Sequence, residues 1–379
     1  MRSWVELEAA GLDAGLDVVA VTSAAPFVEA REVLEERRSA GLAGSMQFTY
    51  RNPERSTDPE RTLPGARSIV AGATSYHRDP PPLPDATNGP VARVARYVWA
   101  DDQDRLLRGL AAVRDALVDD GHRACVVSDQ NHLVDRAVAH RAGLGWFGKS
   151  ANLLLPGRGS WHLLGAVLTD AELADAPRAV PVEDGCGSCE RCLPACPTGA
   201  IVGPGVVDAR RCLSWSLQVT GPFPREQRVA LHDRIYGCDA CQEVCPPNRL
   251  EVRRAKDGRG EPVPVDDPGR AWVPVLELLA ATDDELLARH GRWYVPERDP
   301  RYLRRNALVV LGNVGDGADP AVRRALAAAL ADPDPLLRSH AVWSARRLGC
   351  DDLVVPLRDD PDPDVRAELR QPVPTRAGR

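Results

Sequence analysis

Over roughly the first 175 residues, short apolar runs alternate with stripes at helical spacing. Val18 to Val21, Ser68 to Ala73 and Arg123 to Val127 are compact runs of strand-forming residues. Leu106, Leu110, Val113 and Leu117 recur every three or four positions and form one helical stripe. Alternation of this kind defines an α/β domain. Gly157-Arg158-Gly159 separates Leu153-Leu154-Leu155 from the run Trp161 to Leu168. That spacing predicts a hairpin and therefore a mixed sheet. Pro80 to Pro84 reads as a surface loop.

The periodicity fades over residues 176–262, where cysteine, glycine and proline dominate, so that segment needs metal to hold it together. Residues 263–379 turn helical and carry an internal echo. Arg304-x-x-Ala307 to Gly315 matches Arg338-x-x-Ala341 to Gly349, and Asp332-Pro333-Asp334-Pro335 followed by Arg338 recurs as Asp360-Pro361-Asp362-Pro363 followed by Arg366. Helices opened by Asp-Pro caps in such an echo fit HEAT-like repeats, and an ordinary small helical bundle fits equally well. The predicted architecture is thus an α/β domain over 1–175, a two-cluster ferredoxin-like domain over 176–262 and a helical domain over 263–379, with frayed residues from Arg370 onward.

A chain of 379 residues with 44% hydrophobic content can bury a core in two or three domains. Its longest uncharged stretch, Cys192 to Val207, is broken by Pro194, Pro197 and Pro204, too short and interrupted to span a bilayer. The acidic start, Met1 to Glu8, resembles no secretory signal, so a cytoplasmic monomer without membrane contact is expected. A net charge of -6 assigns any nucleic-acid binding to local patches. Lys149 and Lys256 are the only lysines among 48 basic residues, which gives each added interest.

Cysteine changes the picture most. The chain has 10, and eight lie between Cys186 and Cys245. Clustering of that kind in a reducing compartment points to metal. Cys186-x2-Cys189-x2-Cys192-x3-Cys196-Pro197 is the bacterial ferredoxin run. Cys238-x2-Cys241-x3-Cys245-Pro246 is a second run, whose missing first member Cys212 supplies. Because the last cysteine of each run crosses over, Cys186, Cys189, Cys192 and Cys245 are assigned to one 4Fe-4S cluster, and Cys196, Cys212, Cys238 and Cys241 to the other. Structural zinc is the bland alternative, although the Cys-x3-Cys-Pro endings are not what zinc requires. Cys125 and Cys350 read as small buried hydrophobes.

Two clusters pass single electrons and form no product, so the α/β domain is expected to hold the acceptor. Asp129 follows a strand and precedes a helix predicted over His132 to Arg141, an address where open α/β sheets bind ligands. Asp129 or Asn131 could instead cap that helix. Asp135 reads as an exposed ion-pair partner of Arg136 or Arg141. In Gly143-Leu144-Gly145-Trp146-Phe147-Gly148-Lys149, three glycines would let backbone approach a flat ligand, and Lys149 could meet an anionic or amide group.

Gly143 to Lys149, the strand Leu163 to Asp170, both cysteine runs, Thr198-Gly199-Ala200-Ile201, Asp208 to Cys212 and Tyr236-Gly237-Cys238-Asp239 together closely resemble the epoxyqueuosine reductases. The resemblance implies the last step of queuosine synthesis, reduction of an epoxide on the wobble base of tRNA to an alkene. It also implies cobalamin fed by two 4Fe-4S clusters, with Asp129 as proton donor and a donor such as flavodoxin or ferredoxin upstream. By resemblance, Ala95, Asp129, Lys149, Leu153, Leu164, Ser214, Gly237, Cys238 and Asp239 should meet the corrin. Several positions depart from the family: Gln103-Asp104 replaces an aromatic-histidine pair, and Gln130-Asn131-His132 follows the acid in place of small residues.

Arg249, Arg253, Arg254 and Lys256 form one basic segment, and Arg301, Arg304 and Arg305 belong to another interleaved with Trp293, Tyr294 and Tyr302. Arginine beside aromatics suits a tRNA surface, while a merely solvated helix face gives the same pattern. Two other functions stay open at this point: a corrinoid reductase of a small molecule, akin to reductive dehalogenases, and an electron carrier docking a partner.

Overall fold

Four strands, β1 (Val18–Ser23), β2 (Ser68–Ser75), β4 (Ala124–Val127) and β7 (His162–Thr169), form one sheet in the order β1-β2-β7-β4. The structure is a computed structural model and describes residues 2–83, 89–249 and 267–374. β2 and β7 are central and alternate their side chains between two cores. Ile69, Ala71, Ala73, Ala166 and Leu168 face one core, and Val70 and Val167 face the other. Helix α1 (Trp4–Asp13) opens on a Ser3 capping box, and α2 (Val28–Ser39) is strongly charged with no buried residue. Helix α3 (Asp102–Asp119) brings the predicted stripe, with Leu106, Leu110, Val113 and Leu117 fully buried. Each buried leucine contributes about 2 kcal/mol. Helix α4 (Asp135–Arg141) covers the opposite face with Val138 and Ala139.

Two expectations are corrected here. Every neighbouring pair in this sheet is antiparallel, so it is not mixed. The predicted hairpin does not form either: β6 (Leu153–Leu154) pairs with β5 (Trp146–Phe147), and only the single bridge Leu155 to Gly159 spans the glycine turn. The cause is Gly145, where an added Cβ would lie 2.1 Å from the Leu154 carbonyl oxygen, so the backbone of β5 presses onto β6 and occupies it. A further hairpin joins β8 (Ile201–Gly203) and β9 (Val206–Val207).

Contacts divide the chain into two units, each discontinuous in sequence: residues 1–79, 100–210 and 239–265, and residues 80–99, 211–238 and 266–379. The elements above belong to the first. In the second, β3 (Val91–Val94) lies between β10 (Arg234–Tyr236), which runs parallel to it, and β11 (Trp272–Pro274), which runs antiparallel. This is the mixed sheet of the molecule. Helices α5 (Val275–Ala280), α6 (Asp283–His290), α7 (Arg301–Val314), α8 (Pro320–Leu330), α9 (Pro335–Arg347) and α10 (Pro363–Arg370) follow. Three of them begin with Asp then Pro: Asp319, Asp334 and Asp362 each accept an orphan backbone N–H, and proline occupies the position that needs none. Helix α9 packs against α7, α8 and α10.

The interior of this unit is polar in one place. His340 Nε2 accepts the Phe223 backbone N–H at 3.1 Å, so its Nδ1 donates to the Leu336 carbonyl at 2.7 Å. The ring is therefore neutral, and burial beside Arg228 keeps its pKa well below the ordinary histidine range. Arg228 pairs with Glu368 at 3.1 Å, which ties the Cys212–Cys238 stretch of the chain to α10.

Candidate active site and cluster-binding segment

Asp129 stands just past the end of β4, in the left-handed backbone region at φ 51°. Aspartate tolerates this conformation better than most residues. Its neighbour Ser128 donates to the Leu164 carbonyl at 3.3 Å and accepts from Gln103 Nε2 at 3.0 Å. Both contacts fix the loop against the start of β7 and of α3. Burial raises the Asp129 carboxyl above the usual carboxylate range. Helix α4 starts only at Asp135, with Val134 as its N-cap, so neither Asp129 nor Asn131 caps it.

Asp135 is not the exposed ion-pair partner expected from the sequence. Its Oδ1 is sealed from solvent and makes no hydrogen bond among the described residues. Burial and then the charge of Asp129 push this carboxyl up to about 8, against a smaller pull from Arg136. Arg136 is exposed, and it donates instead to the Ala151 carbonyl at 3.2 Å.

The same end of the sheet holds other residues that the sequence did not single out. Both ring nitrogens of His162, the first residue of β7, are sealed without a hydrogen-bond partner among the described residues, and burial pushes the ring down to about 4. Arg78 and Asp102 form a buried bidentate pair, one contact measuring 2.8 Å. Gln103 is the residue that holds Ser128. Only the departure from the family pattern could have drawn attention to it.

Leu153 and Leu164 pack into one core cluster, and the Leu164 carbonyl accepts from Ser128 beside Asp129. Lys149 is different: its ammonium pairs with Glu190 at 3.6 Å, on the first cysteine run. The glycines before it serve packing. A Cβ on Gly148 would lie 2.2 Å from the Leu154 side chain and 3.7 Å from Cys186 Sγ. Asp239 is buried in the same unit. In the other unit, Gly237 approaches Ala95 so closely that an added Cβ would lie 2.5 Å from the Ala95 Cβ, while Ser214 sits half-buried in the turn Leu213–Ser216.

All 10 cysteines are free thiols. Burial pushes the Cys245 thiol up to about 11, against the Asn248 backbone hydrogen bond and with a smaller push from Cys186, Cys192 and Cys189. The motif Thr198-Gly199-Ala200 has a visible purpose. Gly199 takes φ 60°, and the Ala200 N–H donates to Cys196 Sγ at 3.1 Å. Burial opposes it, but the hydrogen bonds from Thr198 and Ala200 win and hold this thiol below its ordinary range. Hydrogen bonds to cluster sulfurs are a recognised lever on reduction potential. A buried amide clamp steadies the second run: Gln242 Nε2 donates to Tyr76 Oη at 3.0 Å, and Asn248 Oδ1 accepts the Ser160 N–H at 2.6 Å.

The expected nucleic-acid residues divide. Arg249 is exposed. Arg253, Arg254 and Lys256 lie outside the described residues. Arg301 is half-exposed and pairs with Asp299, and Arg304 is mostly covered and pairs with Asp283 at 2.5 Å. Arg305 is a correction: it is fully buried, and its guanidinium donates to the Val219 and Gly221 carbonyls at 2.7 and 2.6 Å. Those carbonyls would otherwise be orphaned, so the residue serves the fold and cannot reach a phosphate. Of the interleaved aromatics, Trp293 stacks on Tyr236 with centroids 4.6 Å apart, Tyr302 is buried, and Tyr294 is exposed.

An acid on an α/β domain beside ferredoxin-type cysteine runs defines an iron-sulfur oxidoreductase. The family model of the 4Fe-4S double cluster binding domain matches residues 185–248, which contain all eight clustered cysteines. Epoxyqueuosine reductase from Bacillus cereus is 32% identical over 343 residues, 89% of this chain and 87% of that protein. The Bacillus subtilis epoxyqueuosine reductase is 31% identical over 365 residues, 94% and 92% of the two chains. A crystal structure of epoxyqueuosine reductase with an epoxyqueuosine-modified tRNA-Tyr stem loop superposes with a TM-score of 0.85 at 30% identity, covering 96% of each chain. The chain belongs to the epoxyqueuosine reductase family.

Proposed function

We propose that this protein reduces epoxyqueuosine to queuosine at the wobble position of tRNA, with Asp129 as the acid. The observation that carries this reading is the match to the epoxyqueuosine reductases along nearly the whole chain, cysteine runs included. Removing an epoxide oxygen consumes two electrons and two protons. The clusters supply the first need and Asp129 the second. A free aspartate has a pKa of about 3.9 and would be ionised at neutral pH. Burial raises the Asp129 carboxyl, which is the direction an acid serving the departing oxygen requires.

The family also implies cobalamin. The sealed, unpartnered ring nitrogens of His162 at the Asp129 end of the sheet suit a ligand whose rim carries amides. Asp129, Leu153, Leu164, Asp239, Ala95, Ser214, Gly237 and Cys238 are the residues proposed to meet it. Lys149 fits less well, because Glu190 already engages it. When bound, cobalamin would supply a strongly reducing cobalt centre fed by the clusters. The functional blocks proposed are 1–175 for catalysis, 176–262 for the clusters and 263–379, with its HEAT-like Asp-Pro repeats, for tRNA. Arg249, Arg301 and Tyr294 are the exposed groups that support that last assignment.

The test is anaerobic reconstitution with iron, sulfide, cobalamin and a reductant, followed by mass analysis of nucleosides from epoxyqueuosine-containing tRNA. Queuosine is the expected product. An enzyme with full clusters and bound corrin that leaves the epoxide intact would refute the proposal.

A further inference from the structure

Reduction adds one negative charge to an iron-sulfur cluster, so hydrogen-bond donors aimed at its thiolates favour the reduced state and raise the potential. Two such donors are side chains of the first unit. Asn152 Nδ2 donates to Cys241 Sγ at 3.8 Å and to Ser150 Oγ at 3.3 Å. An amide carries two N–H donors, and both are engaged here. Thr198 Oγ1 lies 3.8 Å from Cys196 Sγ, beside the Ala200 N–H that reaches the same sulfur at 3.1 Å. A ligating cysteine is a thiolate and only accepts, which makes the Thr198 hydroxyl the donor. Donors converging on two free thiols fit ligands that carry charge once iron is bound. The crossover spacing assigns both sulfurs to one cluster, and the turns Cys192–Ala195 and Ala240–Glu243 pack together beside them. Among the described residues, no side chain donates to the sulfurs of Cys186, Cys189, Cys192 or Cys245.

The loop that aims Asn152 is held on several sides. It closes on itself, with the Gly148 N–H donating to the Asn152 carbonyl and the Ala151 N–H to the Gly148 carbonyl, both at 2.9 Å. Ala151 takes φ 64°, a left-handed conformation that persists in a residue with a side chain only where the surroundings impose it. Arg136 of α4 donates to the Ala151 carbonyl at 3.2 Å. The Gly205 N–H, in the turn between β8 and β9, donates to the Lys149 carbonyl at 2.9 Å. We propose that Asn152 and Thr198 are tuning residues for the cluster to which Cys196 and Cys241 belong, raising its potential above that of the other cluster. The first electron to enter the chain therefore rests there. One electron reduces one cluster, and no bond is made or broken. The inference rests on the cluster assignment and is independent of the substrate.

Redox potentiometry followed by electron paramagnetic resonance, on the full chain reconstituted with iron and sulfide alone, reads the two clusters as separate one-electron waves. Thr198→Val removes the hydroxyl at constant shape, and Asn152→Leu removes the amide. Each should lower the reduced-to-oxidised ratio of the higher-potential wave about tenfold at a given applied potential, a shift of about 59 mV. The double variant should shift it further. The lower-potential wave should stay in place, with about eight iron atoms bound, and Thr198→Ser should keep both waves at their wild-type positions. An unmoved higher wave, or equal movement of the two, would overturn the proposal. Where Asn152→Leu takes up no iron, Asn152→Asp replaces the donor with an acceptor of the same shape and carries the same expectation and the same refutation. Neither tRNA nor corrin is present, so a failure of the epoxide-reduction reading leaves this outcome untouched.

Discussion

On the proposed reading, Asp129 supplies the proton of the reaction. Asp129→Asn is expected to lower the single-turnover rate by about 10²- to 10⁴-fold while iron content and cluster absorbance stay at wild-type levels. Gln103→Leu tests its support. Losing the bond to Ser128 costs roughly 1 kcal/mol of stability, yet the rate should fall because the loop carrying Asp129 loses an anchor. A thermal scan beside a single-turnover assay separates the two effects. The pH dependence of stability has a definite sign. Burial raises both carboxyls above their unfolded values, so the folded state binds protons that the unfolded chain releases. The contribution of Asp135 is complete below the ordinary carboxylate range and lost as pH climbs to about 8, and that of Asp129 declines in the same direction. Asp135→Asn should flatten that decline in Tm. Asp129 was legible in the sequence because a strand end and the family motif both mark it. Asp135 was not: a charge beside arginine on a helix reads as a surface pair, and only tertiary packing shows which way each side chain turns.

Among elements, the Asp-Pro helices show how a sequence echo becomes structure. Arg338 donates to the Asp332 and Pro333 carbonyls at 2.8 and 2.9 Å, and Arg366 repeats this on the Pro361 carbonyl at 2.9 Å. Arg338 also grips Asp360 of the next motif through two bonds of 2.9 Å, so this repeat fastens the one that follows. Asp334→Ala removes one cap and should cost about 1 kcal/mol. Arg338→Met and Asp360→Asn should each cost more, and their double mutant less than the sum, as denaturant titrations would read. Periods of two and of three to four residues made the strands and the α3 stripe readable. The direction of strand pairing was not, because it depends on partners far apart in sequence: β7 finds β2 and β4 rather than the nearer β6. The three glycines after α4 carried a real signal with a misleading cause, since the space beside Gly143 is filled by the Val180 backbone and that beside Gly145 and Gly148 by Leu154.

For the molecule as a whole, about eight iron atoms per chain are expected after reconstitution, and iron chelation should destabilise the chain through residues 185–248. Binding of tRNA should weaken steeply with added salt. Arg305→Ala offers a clear division between surface and interior: it should lower stability by about 3 kcal/mol and leave the salt slope for tRNA unchanged, whereas Arg301→Ala should reduce that slope. The cysteine runs were wholly readable, because cluster ligation fixes spacing within a few residues of chain. The extent of each unit was not, because stretches 80–99 and 211–238 leave the unit that surrounds them in sequence. This threading has a consequence for inheritance. A gene cut once at 175 or 262 would sever both units rather than release one, so the electron-carrying portion cannot be lifted out and traded as a cassette, and descendants must keep or lose the whole polypeptide together.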